Sequence, residues 1–237
     1  MRRLLVITCL GLMAASCLAQ GHNPSSGPHP VQARLLVETR DIRPNAILDI
    51  AVVLDMAPHW HTYWAYSGDA GLPTRVQWDL QDGFVAGELR WPGPRRYAEG
   101  ADLTVFGYAD QVALFAQMQT PASLPDNILI GADVSWLVCA DICIPGDTTL
   151  TWHHVPGEPL PDASGLAAYH PLLPVPLTQA DPVRWRHSVQ DVGDGVRQVE
   201  VHIDSDHGGE ELPDFFPLSV GDGAYIEAGP RIQQQET

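Results

Sequence analysis

The chain has 237 residues and a formal net charge of −16, because 29 acidic side chains outnumber 13 basic ones, all of which are arginine. This acidic balance excludes the basic footprint that nucleic-acid binding needs, and it argues against docking on an anionic membrane surface. Hydrophobic residues make up 45% of the chain, which is enough for a packed core. Glycine and proline, 21 of each, favour turns and short strands over long helices.

Residues 1–19 have the pattern of a signal peptide. Arg2 and Arg3 precede an apolar run over residues 4–13 that is too short to span a bilayer, and small residues follow it. We therefore expect export and a periplasmic location. An alternative is a lipoprotein anchored through Cys17, because the residues before it resemble a lipobox, although the usual leucine at the first lipobox position is missing. No later run of about 20 apolar residues predicts a membrane span.

The next part of the chain has the pattern of a β-sandwich. Residues 20–30 are polar and proline-rich, and we expect them to be disordered. Over residues 31–155, apolar and polar residues alternate in short runs that Asp-Gly, Gly-Asp and Pro-Gly turns interrupt. Several strands at this spacing predict an all-β, antiparallel sandwich. The alternation covers residues 31–37, 50–56, 112–116, 128–134 and, less regularly, 148–152.

The remaining third of the chain predicts a linker and a second, smaller unit. Residues 156–182 form a proline-rich linker in which residues 166–169 fit a single helical turn. Strand patterns follow at 183–190 and 197–203, and a third is expected within residues 215–226. Because about 55 residues are too few for a sandwich of roughly 100, we expect residues 183–237 to be a short second β-rich unit, either incomplete or packed on the first.

Most familiar catalytic motifs are missing from the sequence. It contains no nucleophile elbow, no zinc-protease helix motif, no phosphate-binding loop and no dinucleotide-binding glycine pattern. The many carboxylates show no spacing that pairs an acid with a base, and we read them as solubilising surface groups. The sequence therefore predicts neither a bound cofactor nor a resident metal.

The chemistry of the chain centres on one pair of cysteines. Two of the four cysteines fall in the signal segment, which leaves Cys139 and Cys143. In an oxidising compartment these two can form a disulfide. So short a loop stabilises the fold by only about 2 kcal/mol in the chain-entropy model, against about 4–5 kcal/mol for a loop of 100 residues. The spacing therefore favours redox exchange over a structural staple, and a metal site is the third reading.

The immediate surroundings of this pair do not activate either thiol. Asp141 lies between the cysteines, and no arginine is near them in the sequence. Nothing local would stabilise a thiolate, and the carboxylate would oppose one. We therefore expect the attacking thiol to react mainly when a partner supplies the reactive sulfur.

The cysteine segment, residues 136–145 with the sequence WLVCADICIP, resembles the active-site segment of the periplasmic N-terminal domain of DsbD-type thiol:disulfide interchange proteins. It is more similar still to their ScsB-type relatives, which are linked to suppression of copper sensitivity and whose cysteine spacing it matches better. Three upstream stretches share this resemblance: WHTYW at 60–64, GDAGLPT at 68–74 and FGY at 106–108.

The resemblance implies an immunoglobulin-like sandwich with the cysteine pair at its surface. By position, Cys143 corresponds to the cysteine that attacks a partner disulfide and Cys139 to the one that resolves the mixed disulfide. Residues 94–108 lie roughly where DsbD has a loop that caps the active site. The implied partners are thioredoxin-like redox proteins and a membrane-bound electron donor. Full family members continue into membrane-spanning segments, so we expect a stand-alone carrier, or a truncated one that lacks its own electron source.

Two other readings of the sequence stay open. In the first, a periplasmic copper-handling protein uses Cys139 and Cys143 as ligands together with Met56, His59 and His61, since thiolates and thioethers suit Cu(I). Histidines two residues apart on a strand would share a face. The other reading is a scaffold domain with a structural disulfide. We expect most of the aromatic residues to be core, namely Trp60, Tyr63, Trp64, Trp78 and Trp91. Of these functions, the sequence most favours that of a periplasmic protein thiol:disulfide oxidoreductase without a cofactor.

Overall fold

The structure is a computed structural model that describes residues 28–38, 42–100, 103–156, 164–176 and 184–204, together with Phe216. The predicted signal peptide, Cys17 and most of the predicted third strand of the second unit lie outside the described residues. The described elements, in chain order, are β1 Val31–Val37, β2 Ile47–Met56, β3 His61–Gly68, β4 Arg75–Leu80, β5 Val85–Ala86, β6 Arg95–Glu99, β7 Leu103–Ala109, β8 Gln111–Gln119, β9 Ile128–Cys139, β10 Cys143–His154, α1 Ser164–Ala167, β11 Arg184–Gly193 and β12 Val196–Asp204.

Two antiparallel sheets make up the main part of the molecule. The first has the strand order β1-β2-β8-β5, and the second has the order β10-β9-β3-β7-β6, with β4 also paired to β9. Apolar residues of both sheets meet in a shared core that contains Leu54, Leu114, Val134 and Val138. This arrangement confirms the predicted all-β, immunoglobulin-like antiparallel sandwich.

The alternating runs in the sequence correspond to strands that have one face on this core. All five predicted runs between residues 31 and 155 lie within β1, β2, β8, β9 and β10. In β10 half-buried residues alternate with exposed ones along almost the whole strand, as expected for an edge strand that shows one face to water. β9 and β10 are longer than the strands predicted from the sequence. β9 continues up to Cys139, and β10 starts at Cys143.

Four substantial strands of the second sheet were not predicted. In β3 the first four residues, His61 to Trp64, are all buried, so no polar alternation marks the strand. β6 has the sequence RRYAE and forms a hairpin with β7 through the pairs Arg95↔Gly107 to Glu99↔Leu103. We call this β6–β7 unit, residues 95–109, the cap hairpin. Its charged first arm has the composition of a loop rather than that of a strand.

Strand β9 positions the end of the sandwich that carries the cysteines. It pairs with β10 along its whole length, from Cys143↔Cys139 to His154↔Ile128. On its other side it pairs with β4 through residues 130–135 and with β3 at its last two residues. The tip of the β9–β10 hairpin is therefore held beside the start of β3.

The predicted linker and second unit are described in part. Helix α1 overlaps the predicted helical turn, and its Leu166 is buried against the first sheet. β11 and β12 form a two-stranded antiparallel hairpin at the predicted place. Phe216 packs edge-on against Trp64 and Phe106 of the main core. The proposed domain boundaries stay predictions. Within the described residues, no helix has the length and apolar character needed to cross a membrane.

Candidate functional site

The two cysteines lie opposite each other at the end of the β9–β10 hairpin. Cys139 is the last residue of β9 and Cys143 the first of β10, and their Cα atoms are 4.1 Å apart. A disulfide joins them, and residues 140–142 form the loop, which Ala140 N–H closes by donating to the Ile142 carbonyl at 3.0 Å. The bond therefore crosses a pair of strands that backbone pairing already holds together.

The two sulfur-bearing residues differ sharply in exposure. Cys139 has no exposed surface and packs in a small cluster with Tyr63 and Val105. Cys143 is exposed, as are the loop residues Asp141 and Ile142 beside it. The disulfide thus has one sulfur-bearing residue inside the protein and the other on its surface.

Strand β3 provides the floor of the site through alternate side chains. Its register places His61 beside Cys139 on the neighbouring strand. His61 and Tyr63 lie on the face that carries the cysteine cluster, whereas Trp64 belongs to the sandwich core. The Tyr63 hydroxyl is 4.0 Å from the Cys143 sulfur. The buried first half of β3 thus presents polar atoms to the disulfide on one of its two faces.

Glu99, at the end of the first arm of the cap hairpin, connects these groups. Its Oε1 accepts a hydrogen bond of 2.6 Å from the Tyr63 hydroxyl and one of 3.0 Å from His61 Nε2. Because a carboxylate only accepts, the second bond requires that Nε2 of His61 carries the proton. Ligand atoms of Glu99, Cys139 and Cys143 all lie within 4.8 Å of one another. A half-buried carboxylate therefore stands directly beside both sulfurs.

The electrostatics of this cluster favour a neutral phenol. Burial, with a further contribution from the hydrogen bond to Glu99, raises the pKa of Tyr63 well above its ordinary value of 10.0. Tyr63 therefore keeps its proton and acts as a donor at neutral pH. The Glu99 carboxylate adds a second negative group to Asp141 near the sulfurs, and both oppose a thiolate. This agrees with the expectation that the site does not activate its own thiol.

The conformation of the GDAGLPT segment is explained by its contact with Tyr63. A Cβ atom on Gly71 would lie 2.1 Å from the Tyr63 ring, and the residue has a φ of +90° that other residues rarely adopt. The Ser67 hydroxyl donates to the Gly71 carbonyl at 3.2 Å and holds the loop in place. The loop therefore lies flat against the aromatic ring and fixes its position.

The FGY segment brings the cap hairpin close to β3. A Cβ on Gly107 would lie 1.9 Å from the Thr62 carbonyl oxygen, so only glycine permits this approach. Phe106 and Tyr108 on either side point into the core, where the Tyr108 hydroxyl donates to the Pro92 carbonyl at 2.8 Å. Burial raises the pKa of Tyr108 as well. The three stretches that resemble the ScsB type thus all contribute to the site or to its support.

The structure does not assemble the copper ligand set considered from the sequence. His59 lies in the turn between β2 and β3 with a φ of 72°, so it does not share a strand face with His61. Met56 is buried, and its sulfur accepts a hydrogen bond from the Thr62 hydroxyl at 3.8 Å. In the part of the chain that the structure describes, the group of close ligand atoms at the cysteines includes Glu99 instead.

Sequence reasoning identified the cysteines and, in the copper reading, grouped His61 with them, but it missed Glu99 and the polar contact of Tyr63. Glu99 reads as one surface carboxylate among many, and Tyr63 was assigned to the core, which its complete burial confirms. The available signal was the position of residues 94–108 relative to the capping loop of the resembled family. Of the other aromatic residues, Trp64 is buried, whereas Trp60, Trp78 and Trp91 are partly buried against the core.

Three solved structures are similar to this chain. Among solved structures, the N-terminal periplasmic domain of ScsB from Proteus mirabilis is 17% identical, and the match covers 78% of this chain and 85% of that one with a TM-score of 0.48. The N-terminal domain of DsbD from Neisseria meningitidis in its reduced form is 16% identical over 51% of this chain and 88% of that one, with a TM-score of 0.34. The major pilin SpaD from Corynebacterium diphtheriae is 12% identical over 53% and 34%, also with a TM-score of 0.34. No curated protein matches in sequence.

The family comparison covers the whole sandwich. Residues 32–154 match the model of the N-terminal domain of the thiol:disulfide interchange protein DsbD, so the match begins in β1 and ends with β10. It includes both cysteines, the GDAGLPT and FGY segments and the cap hairpin. Because this match spans more than half of the 237 residues, the chain belongs to the family of DsbD N-terminal domains.

Proposed function

We propose that this domain transfers two electrons to partner proteins by thiol:disulfide exchange, with Cys143 as the attacking cysteine and Cys139 as the resolving one. The observation that carries the assignment is the difference in exposure between the two residues. A partner disulfide can approach Cys143 on the surface, whereas Cys139 has no exposed surface and can react only within the domain. Membership of the thiol:disulfide interchange family supports the reaction class.

The reaction balances without a cofactor. The Cys143 thiolate attacks one sulfur of the partner disulfide, which forms a mixed disulfide and releases the other partner sulfur as a thiolate. The Cys139 thiolate then attacks the Cys143 sulfur, which restores the internal disulfide and releases the second partner thiolate. Two protons leave the domain and two are taken up by the partner. The Glu99 carboxylate and the neutral Tyr63 hydroxyl stand beside the sulfurs as the nearest groups that can accept or donate a proton.

Trapping of the mixed disulfide tests the assignment of roles. The target is a thioredoxin-like protein in which only one active-site cysteine remains. That cysteine is activated as a mixed disulfide with thionitrobenzoate. The full chain with Cys139→Ser retains the exposed thiol, so we expect it to release thionitrobenzoate quickly and to accumulate a stable mixed disulfide.

The matched variant is Cys143→Ser. Both variants also carry Cys9→Ser and Cys17→Ser, so this one retains only the buried thiol and Cys139→Ser only the exposed one. It should react at least tenfold more slowly, because the target cannot reach Cys139 inside the cluster with Tyr63 and Val105. Equal rates for the two variants would contradict the assignment. A faster reaction of Cys143→Ser would reverse the two roles.

We further propose that the domain works in the periplasm and takes its electrons from a membrane-bound donor through a thioredoxin-like domain. The family relationship and the resemblance of the cysteine segment support this place in an electron chain. The acidic surface suits a domain that meets proteins rather than nucleic acid. Export through the predicted signal peptide is tested by expressing the full chain and measuring its processing by mass spectrometry in the periplasmic fraction.

The two other readings of the sequence have less support. The copper reading loses two of the ligands that it added to the cysteines, because Met56 is buried and accepts a hydrogen bond from Thr62, and His59 lies in an exposed turn off the strand face of His61. A scaffold with a structural disulfide would gain little, because the bond closes a short loop at the end of a hairpin that twelve residue pairs already align. Redox exchange is therefore the function that the geometry favours.

A further inference from the structure

We propose that the reduced form of the domain binds one Zn²⁺ ion through Cys139, Cys143 and Glu99, and that the ion blocks electron transfer while it is bound. The proposal rests on the same dithiol as the proposed function, but it adds a zinc ion that the dithiol binds and Glu99 as a third protein ligand of that ion. The oxidised form cannot bind in this way, because the sulfurs of a disulfide are not thiolates. The site would therefore exist only after the domain has received electrons.

The donor atoms lie close enough together to reach one tetrahedral ion once the disulfide is reduced. Zinc–sulfur bonds of about 2.3 Å and zinc–oxygen bonds of about 2.0–2.2 Å place neighbouring ligand atoms roughly 3.5–3.8 Å apart. The two sulfurs and a Glu99 oxygen already lie within 4.8 Å of one another. Reduction removes the covalent bond between the sulfurs, so they can separate to the distance that the ion needs without movement of the strands.

The hydrogen bonds around Glu99 resemble those that support ligands in metal sites. Ligating carboxylates are normally fixed by further hydrogen-bond donors. Here Tyr63 and His61 both donate to Oε1 of Glu99, at 2.6 and 3.0 Å. His61 is itself held by stacking on Tyr97, with ring centroids 5.0 Å apart and planes inclined by 12°. The carboxylate is thus positioned before any ion arrives.

The chemistry of this donor set points to zinc. Two thiolates and one carboxylate mix soft and hard ligands, which suits a borderline cation, whereas Cu(I) is selected by sulfur ligands alone. Three protein ligands leave a fourth position on the exposed side of Cys143, where water would complete the tetrahedron. Binding replaces two thiol protons by one ion, so two protons are released and neither sulfur is oxidised.

Such an ion would inhibit the domain directly. A thiolate that is bound to Zn²⁺ is a poorer nucleophile than a free one, and Cys143 cannot attack a partner while it is a ligand. Zinc and the partner disulfide would thus compete for the same reduced pair. The proposal therefore predicts that free zinc slows exchange by the reduced domain and that a chelator restores it.

The test is a zinc titration of the full, tag-free chain against a chromophoric chelator, without oxygen and with the pair either reduced or oxidised. Cys9 and Cys17 are replaced by serine throughout, so that Cys139 and Cys143 are the two cysteines that change between the two states. Zinc binding by the oxidised chain measures the contribution of the histidines and surface carboxylates. The reduced chain should bind one additional Zn²⁺ ion and should become resistant to alkylation at both cysteines. Calorimetry in buffers of different ionisation enthalpy should show a release of about two protons per ion.

Matched variants show whether Glu99 is a ligand. Glu99→Gln should weaken the additional site at least tenfold, whereas Glu88→Gln, at an exposed position away from the cysteines, should leave it unchanged. His61→Gln should weaken the additional site less than Glu99→Gln does, because it removes a group that supports the ligand rather than the ligand itself.

Two results of the zinc titration would overturn the proposal: an equal stoichiometry in the oxidised and reduced chains, or equal affinity of Glu99→Gln and the parent chain. Tight binding of Cu(I) that Glu99→Gln leaves unchanged, without retention of Zn²⁺, would also overturn it and would indicate a two-sulfur copper site. Failure of the proposed function is recognised separately. A chain that binds zinc but releases no thionitrobenzoate refutes exchange and leaves the zinc site standing, and the opposite pattern refutes the zinc site alone.

Discussion

Reduction of the Cys139–Cys143 disulfide should lower the free energy of unfolding by only about 2 kcal/mol. The two cysteines have a sequence separation of 4, and the chain-entropy model assigns about 2 kcal/mol to a closed loop of this size. The β9–β10 hairpin retains its register along the rest of its length, from Ile144↔Val138 to His154↔Ile128. The loss of stability on reduction should therefore be limited to the conformational entropy that the crosslink removes from the unfolded state.

The same free energy constrains the reduction potential of the pair. By a thermodynamic cycle, the difference in stability between the oxidised and reduced forms equals the difference in potential between the folded and unfolded chains. For a two-electron couple about 30 mV corresponds to 1.4 kcal/mol, so about 2 kcal/mol corresponds to roughly 40 mV. The folded pair should therefore lie only roughly 40 mV below the unfolded pair, and we expect its potential in the range of exchange proteins, about −180 to −270 mV, rather than below about −300 mV, where structural disulfides lie.

Two measurements check this prediction. Urea unfolding of the oxidised and reduced full chain, followed by tryptophan fluorescence, gives the difference in stability. Equilibration in thiol buffers, alkylation and mass analysis give the potential. The control is the double variant Cys139→Ala and Cys143→Ala, whose stability should not respond to the reductant. A loss above about 4 kcal/mol together with a potential below about −300 mV would refute the reasoning and favour the scaffold reading.

Three further predictions concern the groups around the sulfurs. Glu99→Gln removes a negative charge beside the reduced pair, so alkylation of Cys143 at neutral pH should become several-fold faster; an unchanged rate would show that the carboxylate does not influence the thiol. Gly71→Ala should destabilise the domain and slow exchange, because its Cβ would lie 2.1 Å from the Tyr63 ring, whereas Gly93→Ala, with no atom within 4 Å, should do neither. Since the pKa of Tyr63 is raised above 10.0, the folded state holds the phenol proton more tightly than the unfolded state and loses that stabilisation as the pH rises above 10.0. Tyr63→Phe should therefore show a smaller loss of stability between pH 9 and 11 than the parent chain does, and parallel curves would contradict this assignment.

How much of the fold could be predicted from the sequence depended on where apolar residues stand along each strand. β2 and β8 carry apolar residues two positions apart, and the sequence predicted both, although five consecutive residues are buried in each, 50–54 and 112–116. β3 begins with four buried residues of which the first two, His61 and Thr62, are polar, so no apolar period of two marks the strand. The first arm of the cap hairpin is short and charged, and only its pairing with β7 makes it a strand.

The residues of the site also differ in whether the sequence could predict them. The cysteine pair is local in sequence, so spacing and export were enough to predict a disulfide and to favour exchange. Glu99 lies forty residues upstream of Cys139 and Tyr63 still further, and the cap hairpin and β3 bring them to the sulfurs through long-range pairing. Composition and spacing contain no signal that links these positions, because each residue on its own is interpreted as a surface carboxylate or a core aromatic. The resemblance gave only the approximate place of residues 94–108.

The architecture separates the part that reacts from the part that maintains the fold. Cys139 is anchored at a point where β9 pairs with both β10 and β3, and its side chain is packed against Tyr63 and Val105. Cys143 starts an edge strand and is exposed to solvent beside a three-residue loop, while its sulfur also lies near the Tyr63 hydroxyl and the Glu99 carboxylate. When the bond between them breaks, the buried residue has no room to move, whereas the exposed one can turn toward a partner. The oxidised and reduced forms can therefore share one backbone, which is what a carrier that cycles between the two states requires.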